Sequence, residues 1–384
     1  MPDEELYEGL RALADLTNTV AAVQARVIAR LDASQAAADD LAGLPHDRRR
    51  GIAGRVGAAL RESPHAARIT VGASTILTRE MPHTLAALSS GRLTWHRARL
   101  LVAETSCLSL TDRQTVDREV CADQRLLDGI GTKALCNRAR KTAYELDPVS
   151  IVRRAAKAES ERFVSLRPAP DCMTWLTALL PMAQGVACYA ALKAAATSGI
   201  ATGDGRGAGQ LMADTLVTRI TGQASAEAVP IGLHLVMSDT TLLTGDSAPA
   251  RVVGHGPIPA ALARRLVTTA PAVASWVKRL YEDPAELVAT ESRSRCFPEG
   301  LAELITIRDD TCATPWCDAP IRHIDHVIPW ASGGPTELRN GQGLCVQCNL
   351  DKSNRPGAPP QIGDLADHDA STTSVARPIR APAA

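Results

Sequence analysis

The chain has 384 residues, more than one typical domain, and therefore predicts two or three domains with ample length to bury a core. Hydrophobic residues make up 45% of it and aromatic residues only 3%, so Ala, Leu and Val must supply most of the core. This composition favours packed helices, because strands are enriched in aromatic and β-branched residues. The 42 basic and 42 acidic residues cancel, which excludes a broadly basic surface.

The chain contains no apolar run near the ~20 residues of a membrane span, and its acidic N-terminus, MPDEELYEGL, is unlike a signal peptide. We therefore expect a cytoplasmic protein with no membrane partner, whose thiols stay reduced. Four of its ten cysteines form two close pairs. The other six are predicted to be small buried residues: Cys107, Cys121, Cys136, Cys172, Cys188 and Cys296.

Consecutive helices are predicted from residue 1 to about residue 145. Thr94 is the predicted N-cap of a helix over Leu93–Glu104, and Thr111 that of the next helix. Asp147-Pro148 ends the series before a charged helix from about Val149 to Glu161. At the start of the chain, three- and four-residue spacing predicts a helix with one apolar face, formed by Leu6, Leu10, Leu13, Leu16 and Val20.

Short strands are predicted after residue 160, where alternating apolar and β-branched residues are bounded by Pro, Asp and Gly. Their predicted ranges are Phe163–Pro170, Met173–Leu179, Ile231–Met237 and Thr241–Leu243. Helices are predicted at about Ala183–Ala196, at Gly209–Thr221 and from near Ala260. The fold class that follows is a mainly α N-terminal domain with a few short strands, over residues 1–290.

The paired cysteines form Cys312-x4-Cys317 and Cys345-x2-Cys348. Two pairs of thiolates at tight turns suit a closed tetrahedral structural zinc site. Such a clamp matters here, because ~50 residues cannot be stabilised by core burial alone. We therefore predict a small zinc-stabilised domain over residues 295–356, followed by a disordered Pro/Ala-rich tail over residues 357–384.

A second group of polar residues lies in and after the segment between the pairs. It consists of Asp325-His326, then Gly333-Gly334, Asn340 and Asn349. The alternation around His326 predicts a strand that ends at Pro329, and Asn349 is predicted to open a helix that runs through Lys352. A strand–turn–strand–helix arrangement brings Asp325, His326 and Asn349 around one point.

This segment resembles the HNH endonucleases, whose ββα-metal fold carries a DH-x-x-P strand and a terminal Cys-x2-Cys-Asn/His-x2-Lys. The resemblance implies that His326 is the general base and that Asp325 helps to hold a catalytic metal. It also implies that Asn340 fixes the loop that orients the base, and that Asn349 occupies the third, metal-contacting position. The chain thus has the H-N-N form of the motif.

An amide oxygen is a harder ligand than imidazole, so Asn349 favours Mg²⁺ or Mn²⁺ over Zn²⁺ or Ni²⁺ as the catalytic ion. The implied reaction is metal-assisted hydrolysis of a phosphodiester bond in DNA, with duplex DNA as the expected substrate. Lys352 and Arg355 are candidates for contacts to flanking phosphates, and His323 for assisting at the same strand. The alternative for Lys352 and Arg355 is an ordinary solvated charge on the helix, which explains them nearly as well.

The resemblance extends upstream through Gly91–Arg99 (GRLTWHRAR), Leu110-Thr-Asp, Arg167–Asp171 (RPAPD) and Gly254–Pro259 (GHGPIP). These segments are similar to an actinobacterial arrangement known in mycobacteria as the thirteen-E-twelve repeat family. In it, a largely helical domain of unknown function precedes a C-terminal HNH module. The N-terminal domain carries no catalytic residues to transfer, and DNA recognition, partner binding and self-association all remain open for it.

Two alternatives to a DNA endonuclease remain at this point. A non-catalytic zinc-ribbon protein that binds DNA needs the four cysteines but not the set of Asp325, His326 and Asn349. An HNH toxin or RNA-cutting enzyme would differ in the nucleic acid it digests. A single module has one active centre, so cutting both strands requires a homodimer or two sequential nicks.

Overall fold

The computed structural model describes residues 2–44, 51–223, 235–269 and 296–353. The chain divides into two compact units, one formed by Met1–Gln24 with Ile76–Tyr281 and the other by Ala25–Thr75 with Glu282–Ala384. None of the helices in the described ranges has the length and apolar character needed to cross a bilayer. Arg355 and the predicted tail, residues 357–384, lie outside the described residues, and the domain boundaries at residues 290 and 295 stay predictions.

The N-terminal part of the chain is mainly helical, as its composition predicts. Its first eight helices are α1 (Asp3–Leu41), α2 (Ala53–Leu60), α3 (Pro64–Glu80), α4 (Pro82–Ser89), α5 (Trp95–Glu104), α6 (Leu110–Cys121), α7 (Thr132–Leu146) and α8 (Pro148–Ser160). They are followed by α9 (Met182–Ala201), α10 (Ala208–Thr221), α11 (Asp239–Leu243) and α12 (Ala260–Thr269).

Side-chain caps set the start of several of these helices. The Thr94 hydroxyl accepts a hydrogen bond from the Arg97 amide at the start of α5, which confirms the predicted cap. The prediction for Thr111 was wrong: Ser109 caps α6 by accepting from the Asp112 amide, two residues earlier than expected. Asp147 is the N-cap of α8, where its carboxylate accepts a hydrogen bond from the Ser150 amide. Pro148 is the first helical residue, at the break that the sequence predicted.

The core of the first unit is built from α4 to α7 and is rich in Leu, Val and Ala. Its largest fully buried side chains include Leu77, Met81, Leu88, Leu93, Leu101 and Leu135. Asp117 of α6 lies inside this core with 1% exposure. Its carboxylate accepts from the backbone amides of His83 (2.8 Å) and Thr84 (2.7 Å), so it satisfies donors at the start of α4 that helix geometry leaves without partners.

Two antiparallel sheets follow. Strands β1 (Phe163–Ala169) and β2 (Met173–Leu179) pair with Phe163 opposite Leu179, which confirms the predicted hairpin. Strands β3 (Leu235–Val236), β4 (Ala250–Val252) and β5 (Gly256–Ile258) form the second sheet. The strand predicted at Thr241–Leu243 was wrong: this segment belongs to helix α11, because Ser238 accepts from the Thr241 amide and caps it.

The second unit contains a small apolar cluster of Ile28, Ile52, Val56 and Ala67, together with the C-terminal module. The module consists of helix α13 (Glu299–Asp309), strands β6 (His323–His326) and β7 (Gly341–Leu344), and helix α14 (Val346–Ser353). Within this unit, Arg68 of α3 forms an ion pair with Asp351 of α14 at 2.9 Å. Residues 25–75 thus lie in the same compact unit as the C-terminal module.

The buried carboxylate of Asp117 yields a stability prediction. Replacing Asp117 by Ala leaves two buried amides and the Thr84 hydroxyl without their acceptor. We expect a loss of about 3 kcal/mol in the free energy of unfolding, measured by urea denaturation followed by circular dichroism. Asp112→Ala, which removes an exposed carboxylate on the same helix, should change it by less than about 1 kcal/mol. Equal losses for both variants would contradict the role given to Asp117.

Candidate active site and metal centre

Two turns carry the four cysteines of the C-terminal module. The first holds Cys312 and Cys317 and is closed by a hydrogen bond from the Cys317 amide to the Thr314 carbonyl (3.0 Å). The second lies where β7 enters α14, and the Cys348 amide there donates to the Cys345 sulfur (3.4 Å). All four cysteines are buried, with 5–9% exposure. The turns thus direct four thiols into one small interior.

The geometry of these sulfurs fits a tetrahedral metal site. The ligand atoms of Cys312, Cys317, Cys345 and Cys348 lie within 4.8 Å of one another. The Sγ atom of Cys317 is 3.9 Å from that of Cys345 and 3.7 Å from that of Cys348. A tetrahedron with Zn–S bonds of about 2.3 Å has S···S edges of about 3.8 Å, so the cluster has the dimensions of a zinc site.

Hydrogen bonds among the thiols shift their pKa values in opposite directions. Hydrogen bonds from Cys317 and Cys348 hold the pKa of Cys312 far below its usual range. The same pairing with Cys312 raises the pKa of Cys317 to about 12, and hydrogen bonding to Cys312 and Cys317 raises that of Cys348. These opposite shifts follow from the close approach of the sulfur atoms to one another.

Strands β6 and β7 lie between the two turns and form the hairpin of a ββα unit. His323 pairs with Leu344, Asp325 with Gln342, and His326 with Gly341. Helix α14 follows directly and contacts both strands. It begins at Val346, three residues before the predicted start at Asn349, because the second cysteine turn already opens it.

Helix α13 supports the hairpin from its other side. Ile305 is fully buried and lies against Gly341, where an added Cβ would collide with it. Arg308 donates to the carbonyls of Leu338 (2.7 Å) and Gly341 (2.6 Å). Asp309 accepts from the Gly343 amide at 2.7 Å. The end of this helix therefore fixes β7 through both apolar packing and charge-assisted hydrogen bonds.

His326 is the last residue of β6 and is 5% exposed. Its Nε2 atom lies 2.9 Å from the hydroxyl of Thr336, which is also buried. The ring of Phe297 packs on the imidazole with 4.5 Å between centroids and an angle of 44° between the planes. The imidazole is thus held from two directions by groups far apart in sequence.

Asn340 ties together the loop that follows β6. Its Oδ1 atom accepts from the Ile328 amide (2.8 Å), and its Nδ2 atom donates to the carbonyls of Ile328 (3.1 Å) and Pro335 (2.7 Å). Gly334 lies inside this loop, where a Cβ would collide with the Ile328 carbonyl. Such a three-bond bridge holds the loop in one conformation beside His326.

Asp325 has a cationic partner on α14. The Nζ atom of Lys352 lies 2.7 Å from Oδ2 of Asp325 and also donates to the carbonyl of His326. The Lys352 side chain is only 14% exposed, which differs from a lysine that projects outward to a phosphate. Asn349 lies one helical turn before Lys352 and so shares the side of α14 that faces β6.

The structure therefore brings together Asp325, His326, Asn340 and Lys352, with Asn349 on the facing helix. His323 stands at the exposed start of β6. The sequence did not single out Thr336, Phe297 or Arg308. None of them belongs to a spaced motif. Their roles depend on contacts with residues that lie 10 to 33 positions away in the sequence. Among the described residues, the four cysteines form the only group of three or more His, Cys, Asp or Glu ligands.

The sulfur cluster yields a metal-content prediction. The purified chain should hold about one zinc ion, measured by mass spectrometry of the metal, and Cys345→Ser should lose it. Because a structural zinc site contributes about 10–16 kcal/mol, the loss should also unfold the ββα unit, as judged by amide hydrogen exchange. Cys172→Ser, at an exposed cysteine in the hairpin of the first unit, is the matched control and should retain the ion. Zinc retained by Cys345→Ser at the native level would refute the site.

Comparisons with known proteins agree with this architecture. The family described as Domain of unknown function (DUF222) matches residues 7–309, and the family described as HNH endonuclease matches residues 311–355. No curated protein and no solved structure matches the chain. The second match spans the cysteine cluster, the hairpin and α14, which gives the module the nuclease class and a nucleic-acid substrate. The chain belongs to the DUF222 family and carries an HNH endonuclease domain at the C-terminal end of that region.

Proposed function

We propose that this protein is a divalent-metal-dependent endonuclease that hydrolyses phosphodiester bonds in duplex DNA, with His326 as the general base. The observation that carries the proposal is the buried imidazole of His326, next to the carboxylate of Asp325 and held by Thr336 and Phe297. Burying a polar ring requires compensation, and the zinc clamp needs no histidine. A zinc ribbon that only binds DNA leaves this arrangement without a purpose.

In the proposed reaction, the imidazole of His326 takes a proton from a water molecule. The water oxygen attacks the phosphorus in line, the bond from phosphorus to the 3′ oxygen breaks, and the leaving oxygen takes a proton from solvent. The contacts to Thr336 and Phe297 restrict rotation of the ring, so that its lone pair keeps one direction. Orientation of this kind is the main contribution that a rigid scaffold makes to general base catalysis.

The ligand set for the catalytic cation consists of the Asp325 carboxylate and the Asn349 amide oxygen. Two hard oxygen ligands match Mg²⁺ or Mn²⁺, which fill their remaining positions with water and phosphate oxygens. When bound, the cation supplies positive charge at the scissile phosphate. The ion pair with Lys352 is consistent with this assignment, because the Asp325 carboxylate already faces positive charge at this point.

Asn340 and Lys352 act as positioning residues in this proposal. Asn340 holds the loop from Ile328 to Pro335 and thereby keeps Thr336 against the imidazole. Lys352 orients the Asp325 carboxylate and donates to the backbone of His326. The formal net charge of zero agrees with a mode of DNA binding that depends on this centre and not on a basic surface.

The base assignment predicts the behaviour of His326→Ala. Loss of a general base lowers rates by about 10²–10⁴-fold, so nicking of supercoiled plasmid in Mg²⁺ or Mn²⁺ should fall by that factor. Bound zinc and the circular dichroism spectrum should stay unchanged. His323→Ala removes an exposed imidazole from the same strand and should retain most of the activity.

Two results would contradict this prediction. Unchanged nicking by His326→Ala would exclude the residue as the base. A native chain that binds DNA without cutting it in any metal would favour the zinc-ribbon alternative. Parallel digestions of duplex DNA, single-stranded DNA and RNA test the proposed substrate. Preferential cutting of RNA would make RNA the substrate in place of duplex DNA.

The ligand set also predicts which metals support activity. The native chain should cut with Mg²⁺ and Mn²⁺ and only weakly with Ni²⁺ or Zn²⁺. Asn349→His replaces a hard oxygen with an imidazole nitrogen, so the ratio of the Ni²⁺ rate to the Mg²⁺ rate should rise by at least about tenfold. Gln347→His, at a position on α14 outside the proposed ligand set, is the control. An unchanged ratio in Asn349→His would remove Asn349 from the ligand set.

A further inference from the structure

The first half of α1 is exposed on every face. Each residue from position 2 to position 17 is exposed, although this stretch is helical from Asp3 onward. Isolated helices of about 12–15 residues are marginal in water. This one carries Leu6, Leu10, Leu13 and Leu16, with exposures between 46% and 62%. A helix of this composition needs a partner in solution.

The remainder of α1 shows which face that partner must cover. Asn18 donates to the Gly91 carbonyl at 3.1 Å, and Thr19 donates to the Ser89 carbonyl at 2.9 Å. Ala22 is fully buried in the core of the first unit. These residues define the inner face of the helix. Val20 and Val23 lie on the other side, with 56% and 52% exposure, and they continue the row of exposed leucines.

We define the α1 stripe as the eight exposed apolar residues of this row: Leu6, Leu10, Leu13, Leu16, Val20, Val23, Val27 and Leu31. Positions 6, 13, 20 and 27 repeat every seven residues, and Leu16 and Val23 each follow one of them by three. This is the 3.5-residue repeat of a coiled-coil seam. Leu10 and Leu31 instead follow Leu6 and Val27 by four residues, so they flank the seam on one side. A seam with most of its apolar residues at two heptad positions is narrow and fits one facing helix.

We propose that the α1 stripe is the interface of a homodimer, in which α1 packs against α1 of a second copy of this chain. The partner must carry the same repeat over a similar length. Helix α1 has 39 residues and α9, the next in length among the described helices, has 20. A second copy of this chain carries the same repeat over the same length, and a two-fold interface places the same patch on both chains.

The area of the stripe is sufficient for a stable dimer. Eight half-exposed Leu and Val side chains offer roughly 50 Å² of apolar surface each, which gives about 800 Å² for two copies. Because apolar atoms form about 60% of a typical interface, the total buried area is about 1,300 Å². This value falls within the range of about 1,200–2,000 Å² that specific protein–protein interfaces bury.

The proposal is tested by sedimentation equilibrium of the full chain over a concentration series. The native chain should show twice its mass of 40.6 kDa. Leu13→Glu places two carboxylates in the seam of the dimer and should raise the dimer dissociation constant by more than about 100-fold. Ala14→Glu adds the same charge one residue away, on an exposed position outside the stripe, and should leave the constant unchanged.

Circular dichroism of the variants checks that the fold is intact, since both positions are exposed in the single chain. A native chain that stays monomeric at all concentrations overturns the proposal and assigns the stripe to a different protein or to a segment outside the described residues. The proposal is also overturned if the Leu13→Glu and Ala14→Glu variants form equally stable dimers, because the interface then lies elsewhere. Neither result depends on nuclease activity.

Discussion

Four thiols that converge within one small interior are the constraint on which the nuclease module depends. They join the turn after α13 to the turn before α14, and both strands of the hairpin lie on the chain between those turns. The apolar cluster around them is small, with Leu344 as its one large aliphatic side chain among the described residues. Core burial on this scale cannot offset the conformational entropy of so short a segment, whereas metal binding can. The position of Asp325 and His326 therefore follows from the closure of the clamp.

The orientation of the His326 imidazole and of strand β7 depends on contacts outside the four cysteines. Asn340 bridges the loop, Thr336 and Phe297 hold the imidazole, and Arg308 with Asp309 binds the backbone of β7. Helix α13, which supplies Arg308, lies in the last part of the segment that matches the DUF222 family. The end of that segment is thus physically part of the nuclease module.

The helical region, in contrast to the nuclease module, has a large apolar core of its own. Its core is made mainly of Leu, Val and Ala around α4 to α7. The buried Asp117 carboxylate of α6 accepts a hydrogen bond from a backbone amide in the first turn of α4. Other apolar surfaces of the same unit face water. They are the outer side of α1 up to Val23 and both faces of the β1–β2 hairpin, where Val164 on one face and Trp175 on the other are more than half exposed. A two-stranded hairpin with both faces in water is marginally stable on its own. A homodimer formed through α1, as proposed above, would bring two nuclease modules into one particle.

The sequence by itself determined the features that local spacing encodes. Cysteine spacing predicted the four-thiol cluster, and Thr94 predicted the start of α5. The alternation around His326 predicted a strand there, although β6 ends at His326 and not at Pro329 as expected. Coordination, capping and alternation act over a few residues, which is why the sequence reveals them. The sequence predicted Thr111 and not Ser109 as the cap of α6, because Ser and Thr both suit an N-cap and local spacing does not distinguish between them. Tertiary structure alone decided the partner of Lys352, the contacts of Thr336 and Phe297, and the solvent exposure of the α1 leucines. Periodicity shows which residues share a face of a helix. Whether that face packs depends on which segments meet in space, and those segments are far apart along the chain.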